Sequence, residues 1–210
     1  MKRILILLAV AALSLQAFAQ TTLPGDLFVK ASVNFHSVTG KDIQTMDNLG
    51  LGYRITFGME KPLGASEQLL YQYEIGLGTR GSWSQTNEAG VRSDSKMTDH
   101  AMQVGLNLVY RMALGDNQSL DLHAGIGWTM DIFGKTKSKA TMGDDTYENE
   151  VKLKDYGSGF RRSDIFITPG ITYWIGNFGV DIAWQRGLIA MAEDTDTCAS
   201  NILMGIAFKF

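Results

Sequence analysis

The stretch "NLGLGYRITFGMEK", residues 48–61, decides the fold because it alternates strictly between two kinds of side chain. One face carries only apolar residues, from Leu49 to Met59, while the other carries glycine, threonine and charged residues such as Arg54 and Glu60. A repeat of two residues is that of a β-strand, in which successive side chains point to opposite faces. The segment is therefore predicted to be a strand with one apolar and one polar face.

The same alternation recurs along the chain and predicts eight strands, at 28–37, 48–60, 68–83, 98–113, 119–133, 163–175, 178–188 and 201–210. The predicted connections alternate between short ones, at 61–67, 114–118 and 176–177, and long ones, at 38–47, 84–97, 134–162 and 189–200. Such a pattern is typical of a barrel in a bacterial outer membrane. We therefore expect an all-β fold, an eight-stranded antiparallel up-and-down transmembrane β-barrel with short periplasmic turns, long extracellular loops and both mature termini in the periplasm.

Alternation alone leaves open whether the apolar face points inward, as in a soluble lipocalin-like barrel, or outward. Roughly forty residues carry the apolar faces, which is too many for the narrow interior of an eight-stranded barrel. The opposite face is rich in glycine, and between the glycines it carries charges of both signs, namely Lys30, Arg54, Glu60, Glu74, Arg80, Arg111, Asp121, Asp131, Asp181 and Lys209. We therefore predict a filled, polar interior in which the charges pair, because isolated buried charges are costly.

Hairpin geometry predicts which interior charges pair. A first turn centred on Gly64 would place Arg54 opposite Glu74. The next short turn would place Arg111 opposite Asp121 by the same reasoning.

The long connection 134–162 contains an alternation of its own, with lysines before a Gly-Asp turn and glutamates after it. A turn at that dipeptide would set Lys139 opposite Glu148 and Lys137 opposite Glu150. This predicts a charged hairpin that extends two strands above the membrane.

Aromatic residues of the apolar faces gather near the two ends of the predicted barrel, as girdles at two membrane interfaces would. The periplasmic group is Phe57, Tyr71, Tyr73, Tyr110, Tyr173, Phe178, Phe208 and Phe210, and the extracellular group is Phe35, Trp83, Trp128 and Trp184. Pro169 lies mid-strand with no N–H for the ladder, which predicts a bulge or a change of parity there. The inward parity of Trp174 would be a consequence of that bulge.

The N-terminus indicates export. Lys2 and Arg3 precede an apolar run at 4–15, and the following Ala-Phe-Ala has the form of a signal peptidase site. We therefore expect a removed signal peptide at 1–19 and a barrel domain at 20–210. Without the signal the chain has 17 basic and 22 acidic residues, a net charge of −5, which argues against a nucleic-acid partner.

No cofactor or metal site is expected. The acidic segments 143–150 and 192–197 lack the spacing of a calcium loop and are interpreted as solvated loop charge, with divalent bridging to lipopolysaccharide left open. Cys198 is the only cysteine and is interpreted as a loop residue.

Catalysis would require a His with Ser or acidic partners near the outer leaflet, as in barrels that modify lipid A. His123 is predicted to face inward near the periplasmic end, in the interior network. His36 and His100 are predicted to face inward near the other end, with no partner fixed by spacing. No catalytic residue is therefore assigned.

The signal peptide, "GLGYRITFGMEKPL" (50–63), "LYQYEIGLGTRGSW" (70–83), the hairpin-connected strands and the terminal aromatic together resemble the PorT-like outer-membrane β-barrel family of Bacteroidetes-type bacteria. The architecture is similar to small OmpX-like and OmpA-like barrels. The resemblance implies the barrel fold. Some members of that family are linked to protein secretion across the outer membrane and many have no assigned role, so the resemblance implies no role for particular residues.

The final stretch "ILMGIAFKF" (202–210) carries its apolar stripe to Phe210, and it resembles the C-terminal signal that outer-membrane assembly machinery recognises. The expected function is a structural or interaction barrel whose extracellular loops serve adhesion or partner binding, with outer-membrane lipids, lipopolysaccharide and extracellular or secretion proteins as partners. A narrow pore or secretion-associated component is the first alternative, and a lipid A-modifying enzyme is the second.

Overall fold

A computed structural model describes residues 26–40, 49–88, 91–157, 159–192 and 196–210, so the predicted signal peptide lies outside the described residues. Its strands are β1 (Asp26–Thr39), β2 (Gly50–Leu63), β3 (Ser66–Glu88), β4 (Val91–Gly115), β5 (Gln118–Met142), β6 (Asp145–Lys152), β7 (Ser163–Ile175), β8 (Phe178–Gly187) and β9 (Cys198–Lys209). A single turn of 3₁₀-helix at Leu153–Asp155 follows β6. Within these ranges no helix has the length and apolar character needed to cross a bilayer.

Eight of the strands form a closed ring. The order is β1, β2, β3, β4, β5, β7, β8, β9 and back to β1, and every neighbouring pair is antiparallel. The closing pair runs from Phe28 opposite Lys209 to Thr39 opposite Cys198. The predicted eight-stranded up-and-down barrel is therefore confirmed, and β6 stands outside the ring as a partner of the upper part of β5.

The two ends of the barrel differ as the sequence predicts. Tight turns at 64–65, 116–117 and 176–177 lie at one end, together with Asp26 and Phe210, and we call this the turn end. At the opposite end, the loop end, β3, β4 and β5 continue well beyond the strands that flank them. At the loop end, the barrel wall is therefore taller where it is formed by β3, β4 and β5 than where it is formed by the other strands.

Apolar residues cover the outside of the ring and polar residues fill its inside. Leu51, Ile75 and Ile206 are 65%, 53% and 61% exposed, whereas Glu60 and Asp121 are 2% and 1% exposed. All ten charged residues that the sequence assigns to the interior face it, as their burial and ion pairs show. The predicted orientation of both faces is confirmed.

Inward glycines make space for large inward side chains on the neighbouring strand. A Cβ added to Gly179 would lie 2.8 Å from the Trp174 ring, and one added to Gly58 would overlap the Phe28 ring. Any larger residue at these two positions would displace a buried aromatic ring.

The predicted pairing of Arg54 with Glu74 is wrong. Arg54 lies opposite Gly78, and Glu74 lies opposite Gly58, because the β2–β3 ladder shifts register at Pro62. Proline has no N–H for the ladder, so the irregularity falls where the chain has one donor fewer. The pairing of Arg111 with Asp121 is confirmed.

Two further predictions about backbone structure are wrong. The connection 84–97 is not a loop, since β3 and β4 stay paired from Leu69 opposite Tyr110 to Glu88 opposite Val91. Pro169 causes no bulge, since β5 and β7 pair through it in constant register. The β7–β8 ladder is interrupted beside Pro169, which has no N–H to donate, and it resumes in the same register.

Aromatic residues group at the turn end, where Phe208 contacts Phe178 and Phe210 edge-on at centroid distances of 5.0 and 5.2 Å. Near the loop end Trp184 is 40% exposed on the outer face, and its Nε1 donates to Ser200 Oγ at 3.1 Å. Trp83 lies higher than the sequence predicts, opposite Lys96 in the part of β3 that rises beyond β2.

The orientation of the faces leads to a test in the expected bilayer. Leu106 is 46% exposed and lies halfway along the apolar outer face of β4. Leu106→Arg should lower the free energy of unfolding by about 2–4 kcal/mol, the cost of a cation at the bilayer midplane. Denaturant unfolding in lipid vesicles measures this difference.

The matched control is Leu114→Arg on the same strand, because Leu114 lies at the turn end and is 56% exposed. Its cost should be only about 0–1 kcal/mol. Equal effects of the two substitutions would contradict the assignment of this face to lipid.

Candidate functional site

The turn end of the interior holds an ion-pair network around Glu60. Lys209 Nζ and Arg111 Nη2 lie 2.7 and 3.0 Å from Glu60 Oε1. Arg111 also donates two hydrogen bonds to Asp121, from Nε to Oδ1 at 2.8 Å and from Nη2 to Oδ2 at 2.7 Å. Trp174 Nε1 donates to Asp121 Oδ2 at 2.8 Å, so the inward position of Trp174 belongs to this network and not to a bulge.

A second network lies in the middle of the barrel. Lys30 Nζ bridges Glu74 Oε1 at 3.1 Å and Asp181 Oδ1 at 3.3 Å. His123 Nε2 lies 3.3 Å from the same Asp181 oxygen, and Thr172 Oγ1 donates to it at 2.6 Å. The predicted place of His123 in the interior network is confirmed.

The third network, near the loop end, surrounds Arg80, which is 2% exposed. Arg80 Nη2 lies 2.5 Å from Asp131 Oδ2, and Nη1 lies 3.8 Å from Asp164 Oδ2. Arg80 Nη2 also donates to the Arg161 carbonyl oxygen at 3.1 Å. Asp164 and the nearby buried Asp99 are not among the predicted interior charges, although both have the inward parity of their strands.

The chain after β6 folds back over this third network. The Tyr156 hydroxyl lies 2.8 Å from Thr136 Oγ1 and donates to Asp99 Oδ1 at 3.3 Å. Burial raises the pKa of Tyr156 to about 12, so the phenol stays a hydrogen-bond donor. Arg161 N donates to the Met191 carbonyl at 2.8 Å, which ties this segment to the last connection. This segment therefore covers the third network from the loop end.

The prediction that His100 faces inward is wrong. His100 shares the outward parity of Val104 on β4, and Asp99 takes the inward place beside Arg80. The His100 ring stacks on Phe133 at a centroid distance of 4.4 Å, and its Nδ1 lies 3.1 Å from the Tyr53 hydroxyl. His36 faces inward as predicted and is 1% exposed.

Beyond the ring, four strand segments form a sheet that we call the sheet extension: 79–88 of β3, 91–100 of β4, 134–142 of β5 and β6. The predicted charged hairpin is confirmed, with Lys139 Nζ 3.1 Å from Glu148 Oε1 and Lys137 Nζ 3.5 Å from Glu150 Oε2. The hydrogen bond from Lys135 holds the pKa of Glu150 below its ordinary value. The extension is thus an ordered part of the fold.

The two faces of the sheet extension differ in charge. Cross-strand pairing places on one side, the charged face, Asp94, Lys96, Lys135, Lys137, Lys139, Glu148, Glu150 and Lys152. The other side, the neutral face, carries Ser93, Ser95, Met97, Thr136, Ser138, Ala140, Met142, Tyr147, Asn149 and Val151, and its single charge among these paired positions is Asp145, at the tip opposite Met142. The charged face continues the outer surface of the barrel, and the neutral face continues the side that lines its interior.

An irregularity in β5 marks the base of the charged face. The β4–β5 ladder shifts at His100, so that Ile132 and Phe133 both point outward and are 51% and 59% exposed. The charged face therefore begins directly above an apolar step.

Neither acidic segment forms a metal site in the part of the chain that the structure describes, where no three His, Cys, Asp or Glu residues could hold an ion together. Segment 143–150 is the tip and second strand of the hairpin. Segment 192–197 lies partly outside the described residues. Cys198 opens β9 opposite Thr39, so its interpretation as a loop residue is wrong.

Residues 5–210 match the model of the outer membrane protein beta-barrel domain. The chain belongs to this family. The turn end is accordingly periplasmic and the loop end extracellular, since outer-membrane barrels have short periplasmic turns and longer extracellular loops. No protein with a curated functional description matches the sequence.

Several solved structures are similar to the chain. A major outer membrane protein from Thermus thermophilus has 12% identity and a TM-score of 0.48 over 90% of this chain and 100% of that one. Ail, the attachment invasion locus protein of Yersinia pestis, in complex with the heparin analogue sucrose octasulfate, has 14% identity and a TM-score of 0.45 over 90% and 100%. The outer membrane enzyme PagL has 14% identity and a TM-score of 0.45 over 86% and 97%.

The third interior network gives a stability test. Arg80→Met removes the cation that faces buried Asp131 and Asp164, and it should lower the free energy of unfolding by about 3–5 kcal/mol because the carboxylates lose their partner. Denaturant unfolding of the protein in vesicles measures the loss. Adding Asp131→Asn to Arg80→Met should restore part of it, because one unpaired charge is removed.

The matched control is Lys139→Met, the same kind of truncation of a cation in an exposed pair. Its effect on unfolding should be negligible, because exposed ion pairs contribute little. A small effect of Arg80→Met would show that the interior pairs do not hold the barrel together.

Proposed function

We propose that this outer-membrane protein is an interaction barrel, in which the closed barrel anchors the sheet extension and the neutral face binds a polypeptide partner outside the cell. The observation that carries the proposal is the difference between the two faces of the extension. A barrel needs no strands of this length to span its membrane, since about 9–11 residues suffice for each. The extra length therefore serves something other than insertion.

The composition of the neutral face supports a protein partner. Tyr147 is 66% exposed and Met142 is 59% exposed, and the neighbouring strands contribute serine and alanine beside them. Interface cores are depleted of charge and enriched in Tyr and Met. A surface of this kind is suited to a polypeptide more than to an ionic ligand.

The extension is held in a fixed position, which lowers the cost of binding. Its strands are continuous with β4 and β5 of the barrel, and Tyr156 ties Thr136 to Asp99 at its base. A preorganised surface loses less conformational freedom when a partner binds. The outer edge of β6 also offers backbone groups for strand addition, although the charged side chains of β6 limit pairing with arbitrary strands.

A pore is the weaker alternative because interior side chains meet across the lumen. Arg54 on β2 donates through Nη2 to Gln185 Oε1 on β8, and Lys30 on β1 bridges Glu74 and Asp181. An eight-stranded barrel has little interior space beyond that taken by its side chains. We therefore propose that the lumen passes little current.

An enzymatic role is also the weaker alternative. His123 lies in the middle network, and His100 binds Tyr53 and Phe133 on the outer surface. We propose that neither serves as a catalytic base. A lipid A mass spectrum that changes when the protein is expressed would overturn this part of the proposal.

Within its family the chain is proposed to be a PorT-like barrel, on the basis of the segments 50–63 and 70–83. A secretion defect in a deletion strain of the source bacterium would support that narrower assignment. Normal secretion would argue for an adhesion role instead.

The neutral face can be tested by site-specific photo-crosslinking on whole cells. A photoreactive phenylalanine analogue at Tyr147 should yield a discrete polypeptide adduct, because that side chain is exposed on the neutral face. Introducing Ala140→Glu directly opposite it should abolish the adduct, since a charge would have to be buried at the interface.

The same analogue at Lys139, on the charged face, is the matched control and should give no such adduct. Equal labelling from both positions would contradict the proposal. Single-channel recording in planar bilayers is the independent check on the lumen, and a steady ionic current would favour the pore instead.

A further inference from the structure

We propose that the base of the charged face is a binding site for the phosphorylated headgroup of an outer-leaflet lipid. The site is a cleft of about 520 Å³ on the outer surface, between β4, β5, β6 and the chain that follows β6. Its polar rim carries Lys135, Lys152, Lys154 and Arg162 against a single carboxylate, Glu150. Four cations and one anion leave an excess of positive charge.

Like charges face each other directly on this face. Lys135 lies opposite Lys152 on the β5–β6 ladder, and both side chains line the cleft. Such pairs destabilise a sheet, whereas opposite charges in the same places would stabilise it. Glu150 accepts a hydrogen bond from Lys135. Lys152, which lies opposite Lys135, is left without equal compensation. A bound dianion between the two strands would remove this repulsion.

Arg162 occupies a fixed position on the rim. Its Nη2 donates to the Leu153 carbonyl at 3.1 Å, and Leu153 is 3% exposed. The guanidinium is thus held in the cleft by a buried anchor. Arginine is well suited to phosphate, because its planar set of donors can bind two oxygens at once.

The floor of the cleft identifies the ligand as a lipid. Ile132 and Phe133 form the floor, His100 stacks on Phe133, and both apolar residues are more than half exposed. These residues continue the apolar outer face of β5, on which Trp128 and Met130 are the next outward positions towards the bilayer. A ligand here would meet hydrocarbon contacts below and cations above, in the order that an acyl chain and a phosphate have in a membrane.

The location distinguishes this site from the proposed partner surface. The cleft opens on the charged face, beside the outer leaflet, and Tyr147 lies on the opposite face of the same sheet. Loss of one activity therefore need not affect the other.

The test uses the purified full-length protein in detergent micelles and lipid A that carries two phosphates as the probe. The variant Lys135→Gln/Lys152→Gln removes both facing cations without adding negative charge. Its affinity for this probe should fall by at least about tenfold, because charge-assisted hydrogen bonds are lost. Native mass spectrometry measures the bound fraction, and the rise in Tm on addition of the lipid should shrink in parallel.

The matched control is Lys137→Gln/Lys139→Gln, which removes two cations from the same face farther from the bilayer. Its affinity should change by less than about twofold, since the cleft does not include these residues. Circular dichroism of both variants checks that the barrel is intact. A Tyr147→Glu variant should keep the wild-type affinity, which separates failure of this site from failure of the partner surface.

Three outcomes would overturn the proposal. Equal loss in the two double variants would show a diffuse charge effect. Equal binding of lipid A and its dephosphorylated form would show apolar contact only. Inorganic phosphate that competes with lipid A at equal concentration would show that the cleft recognises a free anion and not a lipid.

Discussion

The pairing of β1 with β9 is the interaction on which the rest of the structure depends. In hydrocarbon an unpaired backbone N–H or C=O has no water to bond, so a sheet can cross a membrane only when its two edges meet. The pairing extends from Phe28 opposite Lys209 to Thr39 opposite Cys198 and closes the ring along its whole height. The register shift in the β2–β3 ladder agrees with this constraint, because it falls at Pro62, near the periplasmic end. Pro169 interrupts the β7–β8 ladder in mid-strand, but the register on either side is the same.

Closure fixes what the side chains must do. A ring of eight strands has a large outer surface and a narrow lumen, so apolar residues face out and the lumen takes polar residues in limited volume. Large inward groups such as Trp174 fit because a glycine lies on the neighbouring strand. The charges then need partners close at hand, and three networks supply them at successive heights. Stability and a filled interior are two consequences of one packing arrangement.

The sequence predicted most of the barrel and less of what rises above it. Period-two alternation is a property of each strand, so the strands, their faces and the pairing of Arg111 with Asp121 could be read from the chain. Register across an irregular turn depends on the partner strand as well, which is why Arg54 opposite Glu74 was wrong. The parity of His100 could have been found, since Asp99 beside it has the inward parity of Arg111.

The height of β3 and β4 could not be deduced in the same way. Residues 84–97 are mostly polar on both sides, with Val91 and Met97 as exceptions, and such a segment resembles a loop in composition. The third interior network was also missed in part, because Tyr156 reaches Asp99 from a segment that has no strand periodicity. Contacts made by a chain folding back on a barrel are set by tertiary structure and leave no local pattern.

The difference in charge between the two faces of the sheet extension follows from where each face begins. Its outer face begins at Phe133, at the top of the continuous apolar surface of β5, where the proposed lipid site would meet the negatively charged headgroups of an outer leaflet. Lysines there gain attraction that they would lack higher in the solvent, since such fields fall off within a Debye length of about 8 Å at physiological salt. The other face begins above the segment that covers the third network, away from the lipid. Cations there would not gain this attraction. Successive residues of a strand point to opposite faces of the sheet. The extension can therefore carry lysines on the face that continues the outer surface of the barrel and mostly uncharged residues on the other face.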